Sequence, residues 1–370
     1  LMDMGMTLLR LDNEGARVLP CPSWIQPSAP LDCGNSGTTM RLLSGLIAAR
    51  PITATLFGDA SLSRRPMGRI ATPLRQMGAT VEGDKPPITI QGGNLHPIRY
   101  ESPVASAQVK SCVLLAGLGL DGITEVVEPL PSRDHTERML SALGVNIRAQ
   151  GTTIRLQGPS SLPPFRFSVP ADISSAAYWA VGAAMLSGSE VTLQQVGATP
   201  SRTGLLDVLS EAGVPLVIEP EESELGEPVV TITVRAPQQL QPFSIEGALV
   251  PRLVDEIPVL AVLATQCDGV TTIRDAQELR VKESDRIALV VESLTRMGAN
   301  IEAHEDGMTI TGPTPLLGTT IEAHGDHRIA MAFAIAGLIA EGTTCIHGAE
   351  SIDTSYPTFR EHLALLANAT

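Results

Sequence analysis

Five times along the chain, hydrophobic residues at helical spacing end in a hydrophobic residue plus glycine, and the pattern then switches to alternation over two short stretches divided by a polar turn. The copies read MGMTLLRLDNEGARVL from Met4, MGATVEGDKPPITIQG from Met77, LGVNIRAQGTTIRLQG from Leu143, AGVPLVIE from Ala212 and MGANIEAHEDGMTITG from Met297. The change of period from 3.6 to 2 predicts the last turn of an amphipathic helix, a glycine just beyond it, and a β-hairpin. Copies that start 66 to 85 residues apart predict a repeated supersecondary unit. Between copies, Ile287, Val290, Val291, Leu294 and Met297 mark one face of a helix, and Glu190 to Gln194 reads as a strand. Each unit is therefore a helix, a hairpin, and a crossover helix and strand. Five units suit a symmetric architecture poorly. Leu1 stands at what reads as the last turn of a helix, so an N-terminal unit is expected to be missing.

The 370 residues allow two domains, and 43% hydrophobic against 3% aromatic residues predicts an aliphatic core of the kind found in layered α/β proteins. A net charge of -14 argues against nucleic acid or an anionic membrane as partner. Cys21, Cys33, Cys112, Cys267 and Cys345 show no CxxC pair or regular spacing, which fits a reducing compartment. The longest apolar stretch, Ile329 to Ala340, is too short to span a bilayer, and no basic leader or signal segment opens the chain. A cytoplasmic, soluble protein is expected.

Charge becomes informative at the predicted helix starts. In LDCGNSGTTMRLLSGL, from Leu31, small polar residues precede an apolar helix whose core face is read from Leu42, Leu43, Leu46 and Ile47, with Arg41 in its first turn. Ser36, Thr38 or Thr39 would serve as an ordinary cap. Gly34 and Gly37 also let a ligand approach unpaired backbone N–H groups at the positive end of the helix dipole, a place suited to an anion. LSRRPMGR gathers Arg64, Arg65 and Arg69 around Pro66; SAQVKS places Ser106, Gln108 and Lys110 ahead of the run Val113 to Leu118; PSRDHTERML offers Ser132, Arg133, Asp134 and His135 at another start. RVKESDRIA spaces Lys282 and Arg286 for one face of a single helical turn beside Glu283, and GDHRIAMAF opens a helix with Asp326, His327 and Arg328. Any one of these is an ordinary solvated charge or cap. Recurrence of cations at helix starts in an acidic chain describes a positive cleft for phosphates and carboxylates. Asp255, in RLVDEIPVLAVLA, reads either as a helix cap or as a general base within such a cleft.

Other features carry less. His324, Asp326 and His327 lack further ligands to complete a metal shell, Cys33 has no histidine near it in sequence, and EGDKPP, which resembles a phosphate loop, falls in the turn of a repeat hairpin.

Taken in order, GNSGTTMRL, GDASLSRRPMGR, SAQVKS, PSRDHTERML, DISSAAYWA, DEIPVLAVLA, RVKESDRIA and GDHRIAMA resemble the 5-enolpyruvylshikimate-3-phosphate synthase family, in its bacterial form, over nearly the whole chain. The resemblance implies an inverse α/β barrel of two halves, each of three βαβαββ units, closing around the substrates, with five of the six units present here. It implies a shikimate-3-phosphate-side domain over 1–170 that lacks its first unit, and a second domain over 171–370 that adds catalytic and phosphoenolpyruvate-binding residues. The implied reaction moves the enolpyruvyl group of phosphoenolpyruvate to the 5-hydroxyl of shikimate 3-phosphate and releases phosphate, on the route to chorismate and aromatic amino acids.

By motif match, Gly37, Arg65, Gln108, Arg286 and Arg328 would hold phosphoenolpyruvate, and Ser106, Ala107, Gln108, Arg133, Asp255 and Lys282 would hold shikimate 3-phosphate. Asp255 would take the hydroxyl proton and Glu283 would assist proton transfer to the methylene carbon. No metal, no organic cofactor, no nucleic acid and no membrane are implied, and a monomer is expected. The family is the target of glyphosate; Gly37 argues for sensitivity, whereas SAQVKS and SRDHTERML resemble a more tolerant subfamily. Two departures stand out. The family's N-terminal Pro-Gly-Asp/Ser-Lys-Ser run is absent, so this chain is expected to be inactive without it, and Thr354 stands in DTSYP where some members carry lysine. The rival readings are the sister enzyme acting on UDP-N-acetylglucosamine, against which SAQVKS and PSRDHTERML stand, and a non-catalytic anion-binding paralogue or fragment, against which the retained Asp255, Lys282, Glu283, Arg286 and Arg328 stand.

Overall fold

A computed structural model describes residues 1–11, 15–21 and 23–367. The chain divides into two compact units, Leu1–Arg166 and Phe167–Thr370. In the first, a hairpin of β1 (Leu8–Leu11) and β2 (Gly15–Val18) forms its own two-stranded sheet. The turn of this first sequence repeat, 12–14, lies outside the described residues. Next come β3 (Leu31–Asp32), α1 (Gly37–Ala48), β4 (Thr53–Phe57), α2 (Gly68–Met77), β5 (Thr80–Glu82) and β6 (Ile88–Gln91). Their sheet order is β3-β4-β6-β5, with β3 parallel to β4 and the others antiparallel. The same path repeats in β7 (Arg99–Glu101), α3 (Ala107–Gly117), β8 (Gly122–Val127), α4 (His135–Ala142), β9 (Ile147–Gln150) and β10 (Thr153–Gly158), with order β7-β8-β10-β9.

The second unit opens with α5 (Ile173–Met185), β11 (Glu190–Gly197), α6 (Gly204–Glu211), β12 (Leu216–Pro220) and β13 (Val229–Arg235). A parallel bridge from Ala171 to Val196 stands where the first strand of this repeat belongs. Then follow β14 (Ser244–Ile245), α7 (Ile257–Ala264), β15 (Gly269–Ile273), α8 (Arg286–Arg296), β16 (Asn300–His304) and β17 (Gly307–Gly312), in order β14-β15-β17-β16. The last part is β18 (Thr320–Glu322), α9 (His327–Gly337), β19 (Cys345–His347), parallel to β18, and α10 (Phe359–Ala367).

The repeated glycine has one physical job. Gly5, Gly78, Gly144, Gly213 and Gly298 all have φ between 77° and 108°, the left-handed region where a Cβ is strained. Past the four α-helices, the next residue's N–H returns to the last turn: Ala79 to Leu74, Val145 to Leu140, Val214 to Leu209 and Ala299 to Leu294, each at 2.9 or 3.0 Å. These bonds use carbonyls that a helix end leaves unpaired. The chain then reverses into the hairpin.

The first helix of each repeat is the buried one. Every residue of α7 is buried, as expected of a helix that is apolar all round. It packs against α5, α8 and α9. In the first unit α1 packs on α3, and Gly45 makes the approach possible: a Cβ there would lie 2.2 Å from the Cys112 carbonyl oxygen. The core face of α1 differs from the one read in sequence. Leu43 and Ile47 are buried with Met40, Ser44, Gly45 and Ala48, whereas Leu42 and Leu46 are half-buried. The glycine and serine fit the tight crossing, so leucine spacing alone misplaces the face by about one position.

Candidate active site

In the first unit two helix N-termini are tied together. Ser36 caps α1, its hydroxyl accepting from Thr39 N–H at 3.0 Å, which resolves the three candidate caps. Ser106 caps α3, accepting from Val109 N–H at 3.4 Å, and Ala107 and Gln108 are the first helical residues. Gln108 joins the two: its carbonyl oxygen accepts from Arg41 and its amide donates to Thr38 Oγ1 at 2.7 Å. Arg41 also donates to the Pro66 carbonyl at 3.2 Å. Arg65 donates to Asn35 Oδ1 at 3.3 Å, and Asn35 donates to Asp59 at 2.6 Å. Burial works against charge on Asp59, but the Leu62 N–H, Asn35 and Arg65 together hold its carboxyl below the usual range. Gly37 faces these cations: a Cβ there would meet Arg65 Nη1 at 3.2 Å and Arg41 Nη1 at 3.7 Å. Two guanidinium groups and a helix N-terminus thus surround a position with no side chain, a setting for a small anion.

Arg133 lies half-buried in the loop that leads into α4. Asp134 occupies the cap position and accepts from Arg138 at 2.8 Å. Lys110 is buried, 2% exposed, and bonded to Glu137 at 2.7 Å and Glu128 at 3.0 Å.

The second unit centres on Asp255, and two sequence expectations change there. Asp255 does not cap α7: Glu256 holds that position, and its carboxylate accepts from Ser174 instead of the helix backbone. Lys282 and Arg286 do not share a helical turn either. Asp285 caps α8 by accepting from Ala288 N–H at 3.0 Å, so the helix begins at Arg286 and Lys282 precedes it in irregular chain. An Asx-type cap is a stronger start signal than the charge spacing.

The two cations nevertheless converge on one atom. Asp255 Oδ1 lies 3.4 Å from Arg286 Nη1, 3.7 Å from Lys282 Nζ and 3.9 Å from Arg328 Nε. Arg286 is 1% exposed and is held by Glu283 at 2.6 Å and by Asp326 through two nitrogens at 2.8 and 3.2 Å. Burial opposes its charge, yet Asp326 and Glu283 raise its pKa above the usual value. Asp326 in turn has burial against it, but Arg286 and the Ser284 hydroxyl, at 2.8 Å, keep its carboxyl below the usual range. The same carboxylate caps α9 by accepting from Arg328 N–H at 3.0 Å. It is therefore an anchor for both arginines, and its place in sequence, forty residues beyond Arg286, gives no local sign of that role. Burial followed by the Arg328 charge pushes His327 down to about 4, so it is neutral near pH 7. Burial raises Glu256, which Asp255 reinforces and Arg202 opposes.

A carboxylate oxygen facing three cations is fixed in direction, and it can accept a proton from a hydroxyl brought against it. Sequence reasoning passed over Asn35, Asp59 and Ser284, and it noticed Arg41 and Asp326 without their supporting role; all five act by holding others.

The fold is that of the enolpyruvyl transferases. The crystal structure of the enolpyruvyl transferase NikO from Streptomyces tendae matches with a TM-score of 0.78 over 99% of this chain and 84% of that one, at 18% identity, a likeness of fold alone. The family model for EPSP synthase (3-phosphoshikimate 1-carboxyvinyltransferase) matches residues 1–363, and the chain belongs to this family. It is 50% identical to the 3-phosphoshikimate 1-carboxyvinyltransferase of Bacillus cereus over 370 residues, 99% of this chain and 86% of that protein. The enzyme of the same name from Bacillus thuringiensis subsp. konkukian is 50% identical over 346 residues, 92% and 80% of the two chains. A solved EPSP synthase from Acinetobacter baumannii matches with a TM-score of 0.89 at 44% identity, covering 100% of this chain and 86% of that one.

Proposed function

We propose that the protein transfers the carboxyvinyl group of phosphoenolpyruvate to the 5-hydroxyl of shikimate 3-phosphate and releases phosphate, as an enzyme of the shikimate pathway. Its family and its 50%-identical relatives support the activity, and the observation that carries the mechanism is the Asp255 carboxylate held among Lys282, Arg286 and Arg328. Asp255 is the base for the attacking hydroxyl. Glu283, hydrogen-bonded to Arg286, assists proton transfer at the methylene carbon. Each such transfer contributes about 10²–10⁴-fold, and fixed charge stabilises the developing anion.

Phosphoenolpyruvate is held by Gly37, Arg65 and Gln108, and by Arg286 and Arg328. Shikimate 3-phosphate is held by Ser106, Ala107, Gln108, Arg133, Asp255 and Lys282. The first unit is in this reading the shikimate-3-phosphate-side domain, and the second supplies the base. Glyphosate competes for the phosphoenolpyruvate site. Among the described residues no helix is long and apolar enough to cross a membrane, and we place the enzyme in the cytoplasm as a monomer.

Asp255→Asn tests the assignment, because the amide keeps the shape but accepts no proton; this and every kinetic test below is read in a protein that also carries the family's N-terminal Pro-Gly-Asp/Ser-Lys-Ser run. Turnover is expected to fall by about 10²-fold or more while shikimate 3-phosphate affinity, measured by calorimetry, changes little. A variant that retains turnover within about threefold would remove Asp255 from the chemistry.

A further inference from the structure

The first unit buries a three-residue charge cluster that the mechanism above leaves unused. Glu128, 3% exposed at the end of β8, faces hydrogen-bond donors with both oxygens. Oε1 accepts from the Ser106 backbone N–H at 2.9 Å. Oε2 accepts from the Ser132 hydroxyl at 2.9 Å and pairs with Lys110 Nζ at 3.0 Å. Lys110 reaches on to Glu137 Oε1 at 2.7 Å, on α4. One carboxylate thus ties the cap of α3 to the loop that carries Arg133, and one buried lysine braces it from behind. The bond fixes Ser106 in extended backbone, φ -149° and ψ 105°, with its hydroxyl oxygen used as a cap acceptor and its proton free to be donated.

We infer that Glu128 is a positioning residue for shikimate 3-phosphate: it sets the Ser106 cap and the Ser132–Arg133 loop in the one relative placement that receives the substrate. The inference rests on the functional reading above. It makes a chemical demand that a general packing role does not. A glutamine has the same shape but only one accepting oxygen. If its oxygen faces Ser106, its NH₂ meets the Lys110 ammonium; if its oxygen faces Lys110, its NH₂ meets the Ser106 N–H. Either orientation sets donor against donor in a buried place. Neutralising the brace as well removes the conflict, because the oxygen then serves Ser106 while the NH₂ donates to the Ser132 oxygen.

Glu128→Gln is expected to weaken shikimate 3-phosphate binding and raise its KM by about tenfold or more, the equivalent of one lost buried hydrogen bond, with kcat and the KM for phosphoenolpyruvate within about threefold of wild type. Lys110→Met/Glu128→Gln/Glu137→Gln is expected to bring the KM back to within about threefold. Ser132→Ala keeps the buried pair and releases only the loop, so it folds normally and is expected to raise the same KM alone, by about threefold. Wild-type binding of shikimate 3-phosphate by calorimetry comes first. A wild type that binds none overturns the functional reading and this inference together. A wild type that binds, with Glu128→Gln binding as well, overturns the inference alone. So does an equal rise of both KM values, or, where Glu128→Gln yields no folded protein, an unchanged KM in Ser132→Ala.

Discussion

Gly37 shows how much a missing side chain decides. An added methyl at this position would press on Arg65 Nη1 at 3.2 Å and touch Leu62 at 3.7 Å, so it occupies space in front of a cation proposed to bind phosphoenolpyruvate. Glyphosate is longer than the substrate it displaces, and its phosphonate end has less room to retreat. Overpacking by one methyl in such a place costs about 1–3 kcal/mol. Gly37→Ala is therefore expected to raise the inhibition constant for glyphosate by about tenfold or more and the KM for phosphoenolpyruvate by a smaller factor. Competition kinetics reads both, and equal factors would show that Gly37 does not face the part of the pocket assigned to it. The same position was recognisable from sequence because two glycines and a run of hydroxyl residues sit directly before an apolar helix. Arg41 was visible there too, but that it reaches Gln108, sixty-seven residues away, depends on the packing of α1 against α3. No local pattern carries that information.

At the scale of elements, glycines do two physically different jobs, one ending a helix and the other letting two helices cross closely. Gly144 has φ 85° and open space where a Cβ would point, so Gly144→Ala pays only for left-handed backbone, about 1–2 kcal/mol. Gly45 has ordinary helical geometry, but a Cβ would overlap the Cys112 carbonyl, and relief requires α1 and α3 to move apart. Thermal unfolding is expected to rank Gly45→Ala as the more destabilising, and Gly144→Asn as milder than Gly144→Ala because asparagine tolerates the left-handed region. The reverse order would mean that the helix crossing is looser than its backbone contacts indicate. All five hairpins were legible from the glycine and the period change, since both signals are local. Helix boundaries near the site were not: Asp285 rather than Lys282 opens the ordered turn of α8, and Glu256 rather than Asp255 stands at the cap of α7. Charge spacing suggested helical neighbours where capping chemistry sets the start.

Within each unit the candidate residues come from repeats that each contribute a helix start. Candidate ligands were legible as a set because cations recur at those starts in an acidic chain, and because the motifs follow the family in order over residues 1–363. What was not legible is the supporting layer: Asp326 holding Arg286, Glu128 holding Ser106, and Ser174 meeting Glu256. Those pairs join residues from different elements, and burial alone makes them necessary, since a buried charge without a partner is costly. The central claim is the reaction itself. Phosphorus NMR of the protein with phosphoenolpyruvate and shikimate 3-phosphate tests it most directly. Inorganic phosphate and the carboxyvinyl ether of shikimate 3-phosphate are expected to appear in equal amounts, only when both substrates are present, and to disappear with Asp255→Asn. Phosphate release that persists when UDP-N-acetylglucosamine replaces shikimate 3-phosphate, or no release with shikimate 3-phosphate, would contradict the account.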